Sequence, residues 1–242
     1  FKVANAVASG VALLVPGVLS AQLLPIMASA QGRGEGEAAR RFVGMSVWLY
    51  VLGAPLIAAG AVFSSHVVDL LYGDAYAAAA PVLIVLLIAR VASVLGQGAT
   101  AYLLSADRQT ALMQLTVVFS ALRLVAAFAS TYAYGLTGAI LSTMVLALFG
   151  SAITIRLAMR VSTSGLPWAR LLRITAAAAL PALCCIPIAG SLAPLPGLLA
   201  GTAVFAIGYP LAIWMLRGLS EEDAGHVRGL IARLRRTRTH SG

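Results

Sequence analysis

Seven stretches of this chain, each about 20 to 26 residues long, are apolar almost from end to end, which leaves few folds open. They run over Val3–Ala28, Phe42–Ser64, Ala80–Ser105, Thr110–Tyr134, Leu136–Met159, Leu171–Gly190 and Leu195–Leu216. A helix rises 1.5 Å per residue, so about 20 apolar residues cross the ~30 Å hydrocarbon core of a bilayer. Soluble domains carry about 25% charged residues; here charged residues are 10% and hydrophobic residues 60% of 242. The pattern predicts an all-α membrane protein, a bundle of about seven transmembrane helices. Pro16, Pro55, Pro181 and Pro210 fall inside the spans, where neighbouring helices re-satisfy the backbone groups a proline frees.

The connections alternate in charge. "QGRGEGEAARR" carries Arg33, Arg40 and Arg41; "HVVDLLYGDAY" carries no Lys or Arg; "ADRQ" carries Arg108; "YAYGL" carries none. The fifth connection carries Arg156, Arg160, Arg170 and Arg173, "SLAPLPG" none, and the tail Arg217, Arg228, Arg233, Arg235, Arg236 and Arg238. By the positive-inside rule the arginine-rich side is cytoplasmic. A multi-pass protein of the cell inner (cytoplasmic) membrane is expected, with its C-terminus in the cytoplasm. The first span then starts outside without a preceding signal sequence, which predicts further helices, odd in number, upstream of Phe1.

The tail, "GLSEEDAGHVRGLIARLRRTRTH", sets Val227, Leu230, Ile231 and Leu234 at helical spacing between arginines, with Ser220 and Asp223 placed like a capping box. It reads as an amphipathic helix on an anionic leaflet or as a disordered basic tail. Nucleic acid is not an expected partner. Cys184 and Cys185 are adjacent in an apolar run and read as small buried residues. His66, His226 and His240 are isolated, so no metal or other cofactor is expected. His66, Asp69 and Asp74 are the acid–base candidates of the outer loops; they read better as a short interfacial helix and turn.

Two spans carry a central arginine. Arg90 lies about ten residues from the outer end of the third span and Arg123 about eleven from that of the fourth, so both sit about 15 Å deep. A central arginine costs about 2.5–3.5 kcal/mol on insertion scales. All eight acidic residues, Glu35, Glu37, Asp69, Asp74, Asp107, Glu221, Glu222 and Asp223, lie outside the spans. The counter-charge must come from an anionic substrate, from carboxylates elsewhere, or from a watery cavity. Ser93, Gln97 and Thr100 fall on the Arg90 side of their helix, and Thr116, Ser120 and Ser130 on the Arg123 side of theirs, with Gln114 opposite. The expected cavity residues are therefore Arg90, Arg123, Ser93, Gln97, Thr116 and Ser120. The alternative is that each arginine is packing glue. Close glycines such as Gly96 and Gly98 suit helix contact. A proton-coupled carrier would display an intramembrane carboxylate, and a membrane polymerase or glycosyltransferase would need larger polar loops, so no catalytic residue is expected.

The run "LLYGDAYAAAAPVLIVLLIARVASVLGQGATAYLLSADRQ" resembles the polysaccharide exporters and O-antigen-type flippases of the multidrug/oligosaccharidyl-lipid/polysaccharide superfamily. The matching positions are Leu71, Tyr72, Gly73, Tyr76 and Ala79, then Ala106, Asp107 and Arg108. "YAYGLTGAILST" matches with Gly135, Gly138 and Ala139, and "VPGVLSAQLLPIMASA" with Pro25. The resemblance implies a two-lobe, 14-helix transporter of which this chain is the C-terminal seven. Residues 1–160 would be the C-terminal lobe without its first helix, 161–218 two additional helices, and 219–242 the cytoplasmic tail. It implies alternating-access translocation of a lipid diphosphate-linked oligosaccharide for surface polysaccharide synthesis, with Arg90 and Arg123 on the diphosphate. Membrane lipids and polysaccharide polymerase or glycosyltransferase machinery are the implied partners. The competing readings are a drug or metabolite exporter of the same superfamily and a non-transporting membrane subunit of a polysaccharide synthesis complex.

Overall fold

The computed structural model describes residues 18–162, 165–216 and 218. Among the described residues the chain forms six α-helices and no strand. They are α1 (Val18–Gln31), α2 (Glu35–Tyr72), α3 (Ala79–Ser105), α4 (Gln109–Ser162), α5 (Trp168–Ser191) and α6 (Pro194–Met215), with a 3-10 turn, Asp74–Tyr76, between α2 and α3. Five of them, α2 to α6, are long and apolar enough to cross a membrane, the make-up of a multi-pass helical membrane protein. The first part of the expected span Val3–Ala28, residues 3–17, lies outside the described residues, as do the tail helix and its Ser220 and Asp223; the rest of that span is α1, which runs on to Gln31.

Among the described residues five helices, not the expected seven, are long and apolar enough to cross a membrane. The fourth and fifth expected spans are one 54-residue helical element, α4, broken only at Gly135. Straight, it would be about 81 Å long, more than twice the thickness of a hydrocarbon core. It is not straight. Ser130 Oγ donates to Ser142 Oγ at 3.1 Å, and a methyl group on Gly150 would stand 3.4 Å from the Phe119 ring. Twelve residues of helix span about 18 Å, so these contacts require the two arms to lie side by side. Gly135, at φ 60° and ψ −144°, turns the chain back through a conformation open essentially to glycine alone. The loop expected there is reduced to one residue. The span Phe42–Ser64 also grows at both ends into the 38 residues of α2. Glu37 nucleates its first turns, accepting from Arg40 at 2.8 Å and Arg41 at 3.1 Å, the spacings at which helix side chains meet. His66 and Asp69 occupy the last turns of α2 rather than a separate interfacial helix.

Each stop has a local cause. Gly73 takes φ 77° beyond α2 and donates its N–H to Asp69 O at 2.8 Å. At the end of α3, Asp107 takes φ 56° and Arg108 N–H closes onto Leu103 O. α6 begins with Pro194, whose missing N–H is not needed in a first turn. Pro25 falls inside α1, which continues six residues past it.

The central helix is α2, which packs against α1, α3, α4, α5 and α6. At one end of the bundle Phe42 stacks on Tyr102 with ring centroids 5.0 Å apart, over Leu23, Met27 and Leu103. Lower on the other side, Val47, Val51 and Ala54 meet Ile174, Ala177, Ala178 and Ile213. Towards the far end Val68 packs with Leu83, Leu86 and Leu87. Small residues let the backbones close up: Gly53 faces Val91, and Gly201 faces the Phe63 ring. Both cysteines are free, Cys185 buried and Cys184 exposed.

Polar ties cross the bundle. The Tyr50 and Thr175 hydroxyls share a 2.6 Å hydrogen bond between α2 and α5, and Tyr209 of α6 donates to Val51 O of α2 at 2.5 Å. Tyr209→Phe keeps the ring and removes that bond. Interhelical hydrogen bonds in membranes average about 0.6 kcal/mol with a ceiling near 1.7 kcal/mol. Unfolding titrations in mixed detergent are expected to register a loss within that range.

The ends of the bundle differ in chemistry. One end holds Arg33, Arg40, Arg41, Arg108, Arg156, Arg160, Arg170 and Arg173; among the described residues no Lys or Arg lies at the other. Exposed Trp168 and Trp214 stand near the arginine-rich end, and exposed Tyr72, Tyr76, Tyr132 and Tyr134 near the other. Aromatic residues concentrate at membrane–water interfaces in this way. The 27 residues of α3 run about 40 Å between the two, close to the full bilayer thickness.

Candidate functional site

A cavity of about 310 Å³ opens between α3 and the two arms of α4. From α3 it takes Ser93, Gly96, Gln97 and Thr100; from the first arm Leu112, Thr116, Phe119, Ser120 and Arg123; from the second Ala147, Gly150, Ser151 and Thr154. Five of the six expected site residues, Arg123, Ser93, Gln97, Thr116 and Ser120, thus share one wall system. Arg90 does not line it. Its exposed side chain sits on the same face of α3 as Gln97 but about one turn beyond Ser93, toward the arginine-poor end. Arg90 and Arg123 do stand at the same level, each about 21–23 Å along its helix from the arginine-rich end.

The hairpin explains which second-arm residues take part. Positions equidistant from Gly135 stand level, so Thr116 meets Thr154, Ser120 meets Gly150 and Arg123 meets Ala147 at the cavity wall. Ser151 and Thr154 were not anticipated from the polar stripes of the third and fourth spans. Turn placement was the signal that locates them: once Gly135 is the reversal point, their levels follow. Gly96 is the close-approach residue, since a methyl group there would stand 3.0 Å from Ser151 Oγ.

Four of the six hydroxyl groups that line the cavity are tied to their own helices. Ser93 Oγ donates to Ala89 O, Thr100 Oγ1 to Gly96 O, Thr116 Oγ1 to Leu112 O and Thr154 Oγ1 to Gly150 O, at 2.8–3.1 Å. Each donor is spent on a carbonyl four residues back, which leaves oxygen lone pairs toward the cavity. Ser130, also on the expected stripe, is held by Ser142 across the hairpin and is not a lining residue. No carboxylate lines the cavity, so Arg123 is the one formal charge among its lining residues. From Thr100 to Arg123 the cavity occupies depths of about 8–21 Å from the arginine-rich end, the half of the bundle nearer that end.

One flank of the site is bare. No described residue from Gln109 to Thr137 is fully buried, and Met113, Val117, Val118, Leu124, Val125 and Phe128 are all more than 60% exposed. Arg123 and Gln97 are themselves exposed. The site is an open-sided recess of mixed polar and apolar lining. Comparison of the chain with protein-family models, with characterised proteins and with solved structures finds no match.

Proposed function

We propose that the protein is the C-terminal lobe of a flippase that moves a lipid diphosphate-linked oligosaccharide across the cytoplasmic membrane for surface polysaccharide synthesis. The observation that carries the reading is Arg123, a mid-depth guanidinium in a cavity where hydroxyl and amide groups stand among Leu112, Leu115, Phe119 and Leu146, with no carboxylate on its walls. A guanidinium binds phosphate oxygens through two parallel hydrogen bonds. Gln97 and the serine and threonine oxygens suit sugar hydroxyls. The order of the turn motifs at Gly73, Asp107 and Gly135 supports the same family of transporters. In this reading the bare flank of α4 faces a second lobe, and the two lobes form a 14-helix, alternating-access transporter. The recess lies in the half of the bundle nearer the arginine-rich end, taken as cytoplasmic, where such lipid-linked precursors are assembled by glycosyltransferases. No substrate bond is broken, so the protein is a transporter rather than an enzyme.

Arg123→Ala in the complete protein is expected to cut surface polysaccharide at least about tenfold at unchanged abundance, as for loss of a charge-assisted hydrogen-bond pair. Arg123→Lys, which keeps a point charge without the fork, is expected to retain part of it. Normal export by Arg123→Ala at normal abundance would remove the anion site. A collapse in abundance with normal export per molecule would make Arg123 a packing residue.

A further inference from the structure

A second recess, of about 520 Å³, lies on the other side of the Ser151 wall, between α2, α3, the second arm of α4 and the start of α5. It differs in chemistry from the Arg123 cavity. Ala92, Leu95, Leu148 and Ile155 wall it, with Leu171 and Leu172 at one side. Arg156 and Trp168 lie toward the arginine-rich end, and both are exposed. By helix rise it runs from near that end to a depth of about 20 Å at Leu148, slightly more than half of a ~30 Å core. That is the reach of one acyl chain from one leaflet.

Two observations say what fills it. The first is charge: eight arginines gather at the end where the recess opens, and Glu37, the carboxylate in contact with them, is already held by Arg40 and Arg41. Basic residues at a membrane surface attract anionic lipid, and Arg156 brings a guanidinium to the recess itself. The second is Ser46. It lines the recess, is 7% exposed, and its Oγ has no hydrogen-bond partner among the described residues. Ser46 is one turn beyond Phe42, whose stack with Tyr102 marks the arginine-rich end, so it lies about 6 Å inward. A buried hydroxyl without an acceptor is destabilising. The ester oxygens of a glycerophospholipid lie just beneath its phosphate and accept at that level. A polyisoprenyl chain has no such acceptor.

We propose that this recess is a binding site for an anionic glycerophospholipid of the leaflet at the arginine-rich end. Its phosphate rests on Arg156, an ester oxygen accepts from Ser46, and one acyl chain lies along α3 and the second arm of α4. Trp168 covers the headgroup boundary.

The test is native mass spectrometry of the complete protein after exchange into micelles holding equal amounts of phosphatidylglycerol and phosphatidylethanolamine. The wild type is expected to retain one phosphatidylglycerol about fivefold in excess over phosphatidylethanolamine, the weight of one arginine at an anionic surface. Arg156→Gln is expected to erase the preference and Arg156→Lys to keep it. Ala152→Trp, which fills the recess from an exposed position, is expected to lose both lipids, and Ala152→Leu, a smaller intrusion, to weaken both. Equal retention of the two lipids by the wild type, an unchanged preference in Arg156→Gln, or a bound species whose mass is that of a polyprenyl phosphate or a second copy of the chain would overturn the proposal. The readout uses no transport assay, so it stands or falls separately from the function proposed above.

Discussion

Gln97→Glu is expected to cut polysaccharide export about tenfold while leaving the protein at least as abundant as the wild type. The substitution is nearly isosteric and places a carboxylate in the cavity that holds Arg123. An uncompensated arginine at this depth costs about 2.5–3.5 kcal/mol on insertion scales, and a carboxylate in the same cavity offsets part of that. Gln97 and Arg123 stand at levels about 9 Å apart along their helices, and at an effective dielectric constant of 20 unit charges at that separation attract by about 2 kcal/mol before desolvation is counted. A fixed internal anion at two thirds of that strength would lower the affinity of an external one about tenfold. The variant therefore pulls two quantities in opposite directions: melting temperature holds or rises, and export falls. Gln97→Leu removes the amide without adding charge and is expected to lose no more than a few fold. Both quantities are read in one strain set, as thermal melting in detergent and surface polysaccharide per molecule of protein. Export at the wild-type level by Gln97→Glu would mean that Arg123 does not hold an anion, and the proposed function would go with it.

The residues that could be read ahead of the structure were those whose placement depends on one helix alone. Apolar length marked the spans because the hydrocarbon core sets it, and α3 agrees with the expected Ala80–Ser105 to within one residue. The angular grouping of Ser93, Gln97 and Thr100 held because 100° per residue is a property of any helix. What the apolar pattern could not reveal was where a helix continues beyond the core. Glu35–Arg41 is polar yet helical because Glu37 is bridged by arginines three and four residues on. Nor could it say which neighbour closes a polar face. Arg90 shares a stripe with Gln97, but the second arm of α4 reaches α3 at Gly96 and covers the stripe only from Ser93 onward. The glycine that reverses α4 was visible in "YAYGLTGA", and its consequence was not, since hydropathy treats Ser151 and Thr154 as neutral interruptions of an apolar run. Hairpin register turns them into the opposite wall of the site.

That register rests on three glycines of α4, whose replacements separate sharply. A methyl group on Gly138 would overlap Ser130 O and stand 2.9 Å from Tyr134 Cβ. The obstacle is backbone of the opposite arm, so it cannot rotate away, and relief requires the arms to part. Overpacking typically costs about 1–3 kcal/mol, and more where the backbone must move. Gly138→Ala is expected at or above the top of that range. It should also break the Ser130–Ser142 bond and open the cavity wall that Ser151 and Thr154 form. Gly135→Ala meets no neighbour but forces a side chain into a positive-φ conformation, a strain of about 1–3 kcal/mol. Gly150→Ala has room: its methyl group would touch the Phe119 ring at 3.4 Å, an ordinary contact. Alanine there gains about 1 kcal/mol of helix propensity over glycine. The expected order of stability is therefore Gly150→Ala at or above wild type, Gly135→Ala below it, and Gly138→Ala lowest. Denaturant titration in mixed micelles ranks the three. The most direct check is a disulfide across the arms: Ser130→Cys with Ser142→Cys should close in the wild-type background and fail with Gly138→Ala. A Gly138→Ala protein as stable and as readily crosslinked as its parent would mean that the arms do not meet there, and the level pairing of Arg123 with the second-arm residues would have no basis.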